Sequence, residues 1–381
     1  MAFSRFQNLA LYHPQAGFYT SHGSAGRGGD FITSPEVGPV FGHVLANALD
    51  TWWRVMGRPN PFFVFEAGAG KGTLAQSIIE CAPRCASALR YVTVERSAGL
   101  RGEQTGLLPL FAPEQVLDPS PRAAGMKGGG STMATTLSRL PEGKFSGIVL
   151  SNELLDNLAV DLYEYRGRRW HEVCVAVGKE GDLEERLLPV DEESAVIGQL
   201  EQFGTSAVEG SRMPIQNEAM DWVKAAIDLL DHGKVVAIDY VRTTRWMLGH
   251  PWEDWMRTYR GHRPGASPLE LPGTQDITCE VAVDQLASVR TPDHDRTQTD
   301  FLHAYGLLDL MADAREAWHS RAALGNLGAV RARARVQEGR TLTDERGLGR
   351  YRVLEWDVPD AQHWSPPSGE EKDKRARGGE E

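Results

Sequence analysis

The sequence predicts an α/β protein whose core is a doubly wound, mostly parallel sheet. Residues 62–65 read FFVF, an uninterrupted apolar run that is typical of a strand buried on both faces of such a sheet. Three glycines at alternate positions follow this run and precede a helix-like segment at 74–80. Further strands are predicted at 90–95, 145–151 and 234–240, each ending near a polar or acidic residue.

The elements around this core follow from local patterns. Residues 1–39 are loop-rich, and an amphipathic helix is predicted at 40–55 because its apolar residues share one face. Residues 162–217 are predicted to be an insertion that forms a small lobe. Within it, the segment LYEYRGRRWHEVCVAV alternates like two strands around Gly167, which predicts a hairpin. The segment 365–381 has almost no apolar residues, so we expect a disordered tail.

The glycine-rich turn predicts a cofactor site. Gly68, Gly70 and Gly72 allow positive φ angles and a close approach of the backbone to a ligand, while the next helix directs free N–H groups to the same place. A phosphate-binding P-loop is excluded, because the lysine is followed by Gly72 instead of Ser or Thr and Phe65 replaces the first glycine. A tight turn without a ligand remains the alternative.

Two acids flank this turn and indicate the kind of cofactor. Glu66 lies just ahead of the glycines, where a carboxylate attracts an ammonium group and repels a pyrophosphate. This position favours S-adenosylmethionine over NAD, although an NAD-dependent oxidoreductase remains an alternative. Glu95 ends the next predicted strand and is placed to accept hydrogen bonds from ribose hydroxyls, which both cofactors carry.

Several sequence blocks resemble one family, the MidA-like methyltransferases, which depend on S-adenosylmethionine. The blocks are YHP at 12–14 with GFY at 17–19, GDFITSPE at 29–36, EAGAGKGTLA at 66–75, VERS at 94–97, SNELLDNLAV at 151–160, IDYV at 238–241 and GTQDIT at 273–278. The resemblance spans most of the chain from residue 3 to about residue 286. The family includes a mitochondrial complex I assembly factor that acts as a protein arginine methyltransferase.

This resemblance implies a class I methyltransferase with a seven-stranded, Rossmann-like sheet. It implies that residues 1–58 fold over the cofactor site and that 59–161 and 218–360 form the core. The expected acceptor is an arginine side chain of a protein partner, with a respiratory complex I subunit as one candidate. The remaining alternative is a non-catalytic assembly or interaction factor whose cofactor pocket is vestigial.

Candidate site residues lie at the predicted strand ends and in the N-terminal segment. A guanidinium nitrogen becomes nucleophilic only when carboxylates polarise it and accept its proton, so acids are expected near the transferred methyl group. The predicted catalytic residues are Glu153, Asp30 and Asp239, with Asp156 and Glu36 as further candidates. The predicted cofactor-binding residues are Glu66, Gly68, Gly70, Gly72, Glu95, Asn152, Ser34 and Pro35.

Composition excludes several other classes of protein. A formal net charge of −11 disfavours a nucleic-acid partner, which requires a basic surface. No apolar segment is long enough for a membrane span, and the N-terminus does not look like a secretory signal, so we expect a soluble, cytoplasmic protein. The four cysteines and the dispersed histidines do not form a metal-binding pattern. The sequence does not indicate an oligomeric state.

Overall fold

The computed structural model describes residues 1–21, 33–120, 132–261, 263–321 and 327–360. Asp30 and the predicted tail at 365–381 lie outside the described residues. In chain order the strands are β1 (Phe62–Ala67), β2 (Leu89–Val94), β3 (Met133–Leu137), β4 (Phe145–Asn152), β5 (Asp161–Arg166), β6 (Arg169–Val177), β7 (Leu183–Pro189), β8 (Arg212–Ile215), β9 (Leu230–Asp239), β10 (Val241–Arg242), β11 (Met256–Arg260), β12 (Arg263–Pro264), β13 (Asp276–Cys279), β14 (Val281–Ala282), β15 (His294–Thr297) and β16 (Arg352–Val358).

The helices pack on both faces of the largest sheet and on the smaller sheets. They are α1 (Phe3–Tyr12), α2 (Phe18–Ser21), α3 (Ser34–Val37), α4 (Pro39–Val55), α5 (Thr73–Glu80), α6 (Ala98–Gln104), α7 (Pro113–Val116), α8 (Ile197–Phe203), α9 (Asn217–Asp228), α10 (Thr244–Leu248), α11 (Val283–Val289), α12 (Gln298–Ala304), α13 (Leu307–Arg321) and α14 (Leu327–Leu342). Short 3₁₀ turns lie at Leu155–Asn157, Trp252–Asp254 and Leu348–Arg350.

The largest sheet has seven strands in the order β3-β2-β1-β4-β9-β16-β15. The pairs from β3 to β9 are parallel, whereas β16 is antiparallel to both of its neighbours. The chain order reverses between β1 and β4, because β2 and β3 lie on one side of β1 and the later strands lie on the other. Such a reversal opens a crevice at the carboxyl ends of the strands. The predicted fold class is confirmed.

Strand β1 shows why this sheet needs helices on both faces. All six of its residues are buried. Phe62 and Val64 join an apolar cluster with α4 and α5, whereas Phe63 and Phe65 join a second cluster with α9 on the opposite face. Because successive side chains of a strand point to opposite faces, both faces of this central strand need apolar residues, and its first four residues, 62–65, are all apolar.

Three smaller sheets lie outside this core. Strands β7-β6-β5-β8 form an antiparallel sheet, β12-β11-β13 form another, and β10 pairs with β14. Phe3 and Phe6 of α1 pack with Leu162 and Val173 of the four-stranded sheet. That sheet occupies the part of the chain in which the inserted lobe is predicted, and the boundaries 162–217 stay a prediction.

The four predicted strands and the predicted helices at 40–55 and 74–80 are confirmed, with small shifts at their ends. In the largest sheet, strands β3, β15 and β16 have no counterpart in the prediction. The first two are short and rich in polar residues, and charged residues interrupt the apolar residues of β16, so these strands take their form from neighbours in the sheet. Among the described helices, none combines the length and the apolar character needed to cross a membrane.

Candidate active site

A cleft lies at the carboxyl ends of β1, β2 and β4, at the point where the strand order reverses. It is partly open to solvent, and the space in and at the mouth of the cleft is about 780 Å³. Its walls are the glycine-rich turn after β1, the residue after β2, the segment after β4, and parts of the first 36 residues. This is the position at which doubly wound sheets bind their ligands.

The turn after β1 takes the conformation that its glycines permit. The φ angles of Gly68, Gly70 and Gly72 are 71°, 54° and 87°, in the left-handed region where a side chain is strained. A Cβ atom added to Gly70 would meet no protein atom within 4 Å. Gly70 lines the cleft, so this free space belongs to the ligand side of the turn. The turn ends where α5 begins, at Thr73.

Glu95 joins the end of β2 to the glycine turn. Its Oε2 accepts a hydrogen bond from the Gly70 N–H at 2.9 Å, and its Oε1 accepts one from the Ser97 N–H at 2.7 Å. Burial raises the pKa of this carboxyl, and the two N–H donors oppose that rise. Each carboxylate oxygen retains a further acceptor site. Glu95 is therefore placed at the cleft wall to bind a ligand hydroxyl, as a ribose would require.

Glu66 is the buried acid at the end of β1. Tyr91 donates a hydrogen bond to its Oε2 at 2.7 Å. Burial raises the pKa of Glu66 from 4.5 to about 8, with a smaller contribution from the charge of Glu95, while the Tyr91 hydroxyl opposes the rise. A cation bound in the cleft would favour the ionised form of this acid. Glu66 thus provides a site for positive charge at a place where water is largely excluded.

Glu153 follows β4 in a strained conformation. Its φ angle is 52°, which is uncommon for a residue with a side chain and occurs most often at functional sites. Three donors surround its carboxyl: the Ser34 N–H at 3.3 Å, the Asn152 amide at 3.2 Å and the Tyr351 hydroxyl at 3.2 Å. Burial, followed by the charge of Asp239, raises the pKa of Glu153 to about 8. The carboxyl lines the cleft and is held in a defined orientation.

Asp239 lies behind the cleft wall. It is 1% exposed, its Oδ1 accepts a hydrogen bond from the Tyr240 N–H, and its Oδ2 accepts one from the Leu155 N–H, both at 2.9 Å. Burial raises the pKa of Asp239 to about 7. Asp239 is not among the residues that line the cleft. The predicted catalytic role is therefore not supported by this geometry, which favours a role in holding the segment after β4 against β9.

The described part of the N-terminal segment contacts the glycine turn and the segment after β4. Ser34 begins α3, and its side chain donates to Gln298 at 3.0 Å. Glu36 accepts a hydrogen bond from the Thr73 hydroxyl at 2.8 Å. Pro35 and Glu36 line the cleft. Ser34 does not line it, but its backbone N–H donates to Glu153, which does.

The cleft also contains residues that were not predicted as site residues. Tyr12 and Tyr19 stack with 5.4 Å between their ring centres, and both line the cleft. Asn157 accepts a hydrogen bond from Tyr19 at 3.0 Å. The two tyrosines belong to the blocks at 12–14 and 17–19 that carry the resemblance, which was a usable signal. Tyr351 lies beyond the region of resemblance, and no sequence pattern indicates it.

These residues fit a cofactor that carries a ribose and positive charge. Gly70 leaves room for a ligand against the backbone, Glu95 is placed to accept hydroxyl donors, and Glu66 supplies a buried acid. No group of three or more histidine, cysteine, aspartate or glutamate side chains within the described ranges is arranged to hold a metal ion. The cleft thus offers an organic cofactor site.

Comparisons with known proteins agree with this geometry. A family model described as "Putative S-adenosyl-L-methionine-dependent methyltransferase" matches residues 44–312, which is more than half of the chain. The chain resembles a crystallised protein from Burkholderia thailandensis bound to S-adenosyl-homocysteine, with a TM-score of 0.74 and 25% identity, covering 94% of this chain and 87% of that one.

Two curated relatives are similar over most of this chain. "Protein arginine methyltransferase NDUFAF7 homolog, mitochondrial" of Drosophila melanogaster is 29% identical over 298 residues, covering 73% of this chain and 64% of the relative. "Protein arginine methyltransferase NDUFAF7, mitochondrial" of Danio rerio is 25% identical over 294 residues, covering 73% of this chain and 65% of the relative. The chain therefore spans slightly less than two thirds of the length of these relatives.

Proposed function

The chain belongs to this family of S-adenosyl-L-methionine-dependent methyltransferases, and we propose that it methylates an arginine side chain of a protein. S-adenosylmethionine supplies a methyl group on a positively charged sulfonium. Such a methyl group is already activated, so the protein contributes mainly by positioning the reactants and by local electrostatics.

One observation carries this proposal. The cleft, which lies where the strand order reverses, combines a glycine-rich turn that leaves free space beside the backbone with an acidic lining. Glu36, Glu66, Glu95 and Glu153 line it, whereas Lys71 is the one basic side chain among the described lining residues. Lys71 forms an ion pair with Glu103 at 3.4 Å. An acidic cleft favours an ammonium and a sulfonium and disfavours the pyrophosphate of NAD. The oxidoreductase alternative is thus supported neither by the cleft nor by the family.

The roles of individual residues follow from their positions. Gly68, Gly70 and Gly72 would let the cofactor approach the backbone, Glu95 would bind its ribose, and Glu66 would stabilise its positive charge. Asn152 lines the same cleft, and its Oδ1 has no hydrogen-bond partner among the described residues, so it would accept a donor from the ligand. These assignments stay predictions.

An arginine acceptor accounts for the acids near the end of β4. Transfer of a methyl group to a guanidinium nitrogen releases one proton, which a nearby base must accept. Glu153 lines the cleft, is fixed by three donors, and has a raised pKa, which makes it a stronger base than an exposed glutamate. The names of the two curated relatives, which are protein arginine methyltransferases, support the same acceptor.

The partner protein and the location in the cell stay predictions. A respiratory complex I subunit is the candidate partner that the sequence resemblance implies. The cytoplasmic location predicted from the sequence has no support from the curated relatives, whose names describe them as mitochondrial.

Calorimetry with S-adenosylmethionine, S-adenosyl-homocysteine and NAD tests the proposed cofactor. We expect the first two to bind at a single site and NAD to give no heat of binding. Binding of NAD alone would refute the proposal that the protein is a methyltransferase. Binding of neither kind of ligand would support the non-catalytic assembly factor.

A further inference from the structure

Two tyrosine hydroxyls form a hydrogen-bonded chain that starts at Glu153. Tyr351 donates to Glu153 Oε2 at 3.2 Å, and its hydroxyl is also hydrogen-bonded to the hydroxyl of Tyr240. A tyrosine hydroxyl carries one proton and can also accept one, so Tyr351 donates to one of these neighbours while it accepts from the other. The chain can therefore run in either direction, towards Glu153 or away from it.

Tyr351 differs from the other two donors to this carboxyl. The Ser34 N–H and the Asn152 amide both donate to Glu153 Oε1. A backbone N–H and an amide NH₂ cannot take a proton from a carboxylic acid, whereas a hydroxyl oxygen can accept one. Among the described residues that are hydrogen-bonded to the Glu153 carboxyl, Tyr351 is thus the one that can take over its proton.

The other end of the chain reaches a small polar cavity, which we call the Tyr240 cavity. Tyr240, Asp156, Tyr259 and Thr278 line it, and it has room for about one water molecule. Asp156 is 4% exposed, and its Oδ1 has no hydrogen-bond partner among the described residues. A buried carboxyl oxygen without a partner is costly in free energy. A water in the Tyr240 cavity would satisfy this oxygen and would lie beside Tyr240.

Both hydroxyls stay protonated near neutral pH. Burial raises the pKa of Tyr240, and the charges of Glu153 and Asp156 add to that rise. Burial, followed by the charge of Glu153, also raises the pKa of Tyr351. The charges that act on Tyr240 show that its hydroxyl lies near Glu153 as well as near the acid of the Tyr240 cavity. The two tyrosines can therefore pass a proton as neutral hydroxyls without ionising.

The Tyr240 cavity and the cleft differ in how they reach solvent during the reaction. Arg257 lines the Tyr240 cavity with a side chain that is 35% exposed, so solvent reaches this edge of the cavity. Glu153 faces the cleft, and an acceptor guanidinium in contact with Glu153 would occupy the side from which solvent approaches its carboxyl. A proton on Glu153 therefore needs a second way out while the cleft is filled.

We propose that Tyr351 and Tyr240 carry the proton of Glu153 to the Tyr240 cavity while cofactor and acceptor occupy the cleft. The inference rests on the proposed function, since it assigns the exit of the proton that methyl transfer to a guanidinium releases. The Glu153 O–H bond breaks as its proton passes to the Tyr351 oxygen. The Tyr351 proton passes to the Tyr240 oxygen, and the Tyr240 proton passes to water in the cavity and on to bulk solvent. Both tyrosines stay neutral, and Glu153 is ionised again and able to accept the next proton. The tyrosines act through Glu153 and do not touch the reactants.

Initial rates of methyl transfer across a range of pH test this path. The probe is methyl-labelled S-adenosylmethionine with a lysate from cells that lack the protein. Tyr240→Phe keeps the ring and removes the hydroxyl that receives the proton, so the plateau rate should fall about tenfold or more. Affinity for S-adenosyl-homocysteine and the apparent KM for S-adenosylmethionine should not change. The pH at which the rate rises should also stay the same, because the acids whose charges act on or with Glu153, Asp239 and Asp156, are unchanged.

Tyr305→Phe is the matched control. Tyr305 is also partly buried, its hydroxyl accepts a hydrogen bond from the Trp52 indole at 2.8 Å, and it lines neither the cleft nor the Tyr240 cavity. This variant should keep the rate of the unmodified protein. Equal losses of rate in both variants, or an unchanged rate in Tyr240→Phe, would overturn the proposal.

Rates in mixtures of light and heavy water give a second test, which needs no variant and holds even if Tyr240→Phe does not fold. A path that moves more than one proton predicts a plateau rate of the unmodified protein that falls along a curve as the deuterium fraction rises. A linear dependence, or none, would overturn the path. Absence of label on arginine with the unmodified protein would instead refute the proposed function, so the two failures are distinguishable.

Discussion

Replacing Gly70 with valine separates ligand binding from folding more cleanly than any other change in the cleft. The φ angle of Gly70 is 54°, and an added Cβ would meet no protein atom within 4 Å. A β-branched residue in this region costs about 1–2 kcal/mol of stability. The added methyl groups would enter the space beside the turn, where overpacking against a ligand costs about 1–3 kcal/mol more. We expect affinity for S-adenosyl-homocysteine to fall at least about tenfold.

Gly167→Val is a matched control for this change. Gly167 has a φ angle of 57°, an added Cβ there would also meet nothing within 4 Å, and its N–H donates to Glu209 as that of Gly70 donates to Glu95. Gly167 lies in the turn between β5 and β6 and does not line the cleft. Both variants should therefore lose similar stability, whereas only Gly70→Val should lose affinity.

The assay combines urea unfolding with calorimetric titration of both variants. Equal losses of stability with unchanged affinity in Gly70→Val would refute the assignment of the glycine turn as the cofactor site. Equal losses of affinity in both variants would show that general destabilisation of the protein, and not the space that valine occupies beside the turn, weakens binding.

Three further predictions concern acids of the cleft. The pKa of Glu66 is raised from 4.5 to about 8, so the folded protein keeps a proton that the unfolded chain releases, and stability should fall as pH rises across this window. Glu66→Gln should flatten that fall by up to about 4 kcal/mol between pH 5 and pH 8.5 in urea titrations, and an unchanged slope would contradict the raised pKa. Glu95→Gln should weaken binding of S-adenosyl-homocysteine by about tenfold or more in calorimetry, since it removes a charge-assisted acceptor; full affinity would show that Glu95 only positions the turn. Tyr351→Phe removes a donor that lowers the pKa of Glu153, so the rise of methyl transfer with pH should move to higher pH, and an unmoved profile would exclude Glu153 as the base.

The sequence predicts those parts of the site that depend on neighbouring residues in the chain. The apolar run at 62–65, the three glycines and the start of α5 form one local unit, so composition and spacing suffice to locate the turn. Glu95 and Glu153 are predicted for a similar reason, because each follows a recognisable buried strand and parallel strands end at one edge of a sheet.

The rest of the site depends on packing between distant segments. Tyr351 contacts Glu153 across 198 positions of the chain, and Gln298 contacts Ser34 across 264. No pattern among residues that are close in the sequence predicts such contacts. For Asp239 the local pattern and the packing differ. An acid at a strand end predicts a catalytic group, but both oxygens of Asp239 accept backbone N–H donors behind the cleft wall.

The most direct test of the account uses S-adenosylmethionine labelled in its methyl group. The protein is incubated with this cofactor and a lysate from cells that lack the protein, and the labelled residue is located by mass spectrometry. The account predicts label on arginine side chains of a protein and its loss in Gly70→Val but not in Gly167→Val. Label on lysine, or on small molecules alone, would contradict the arginine acceptor.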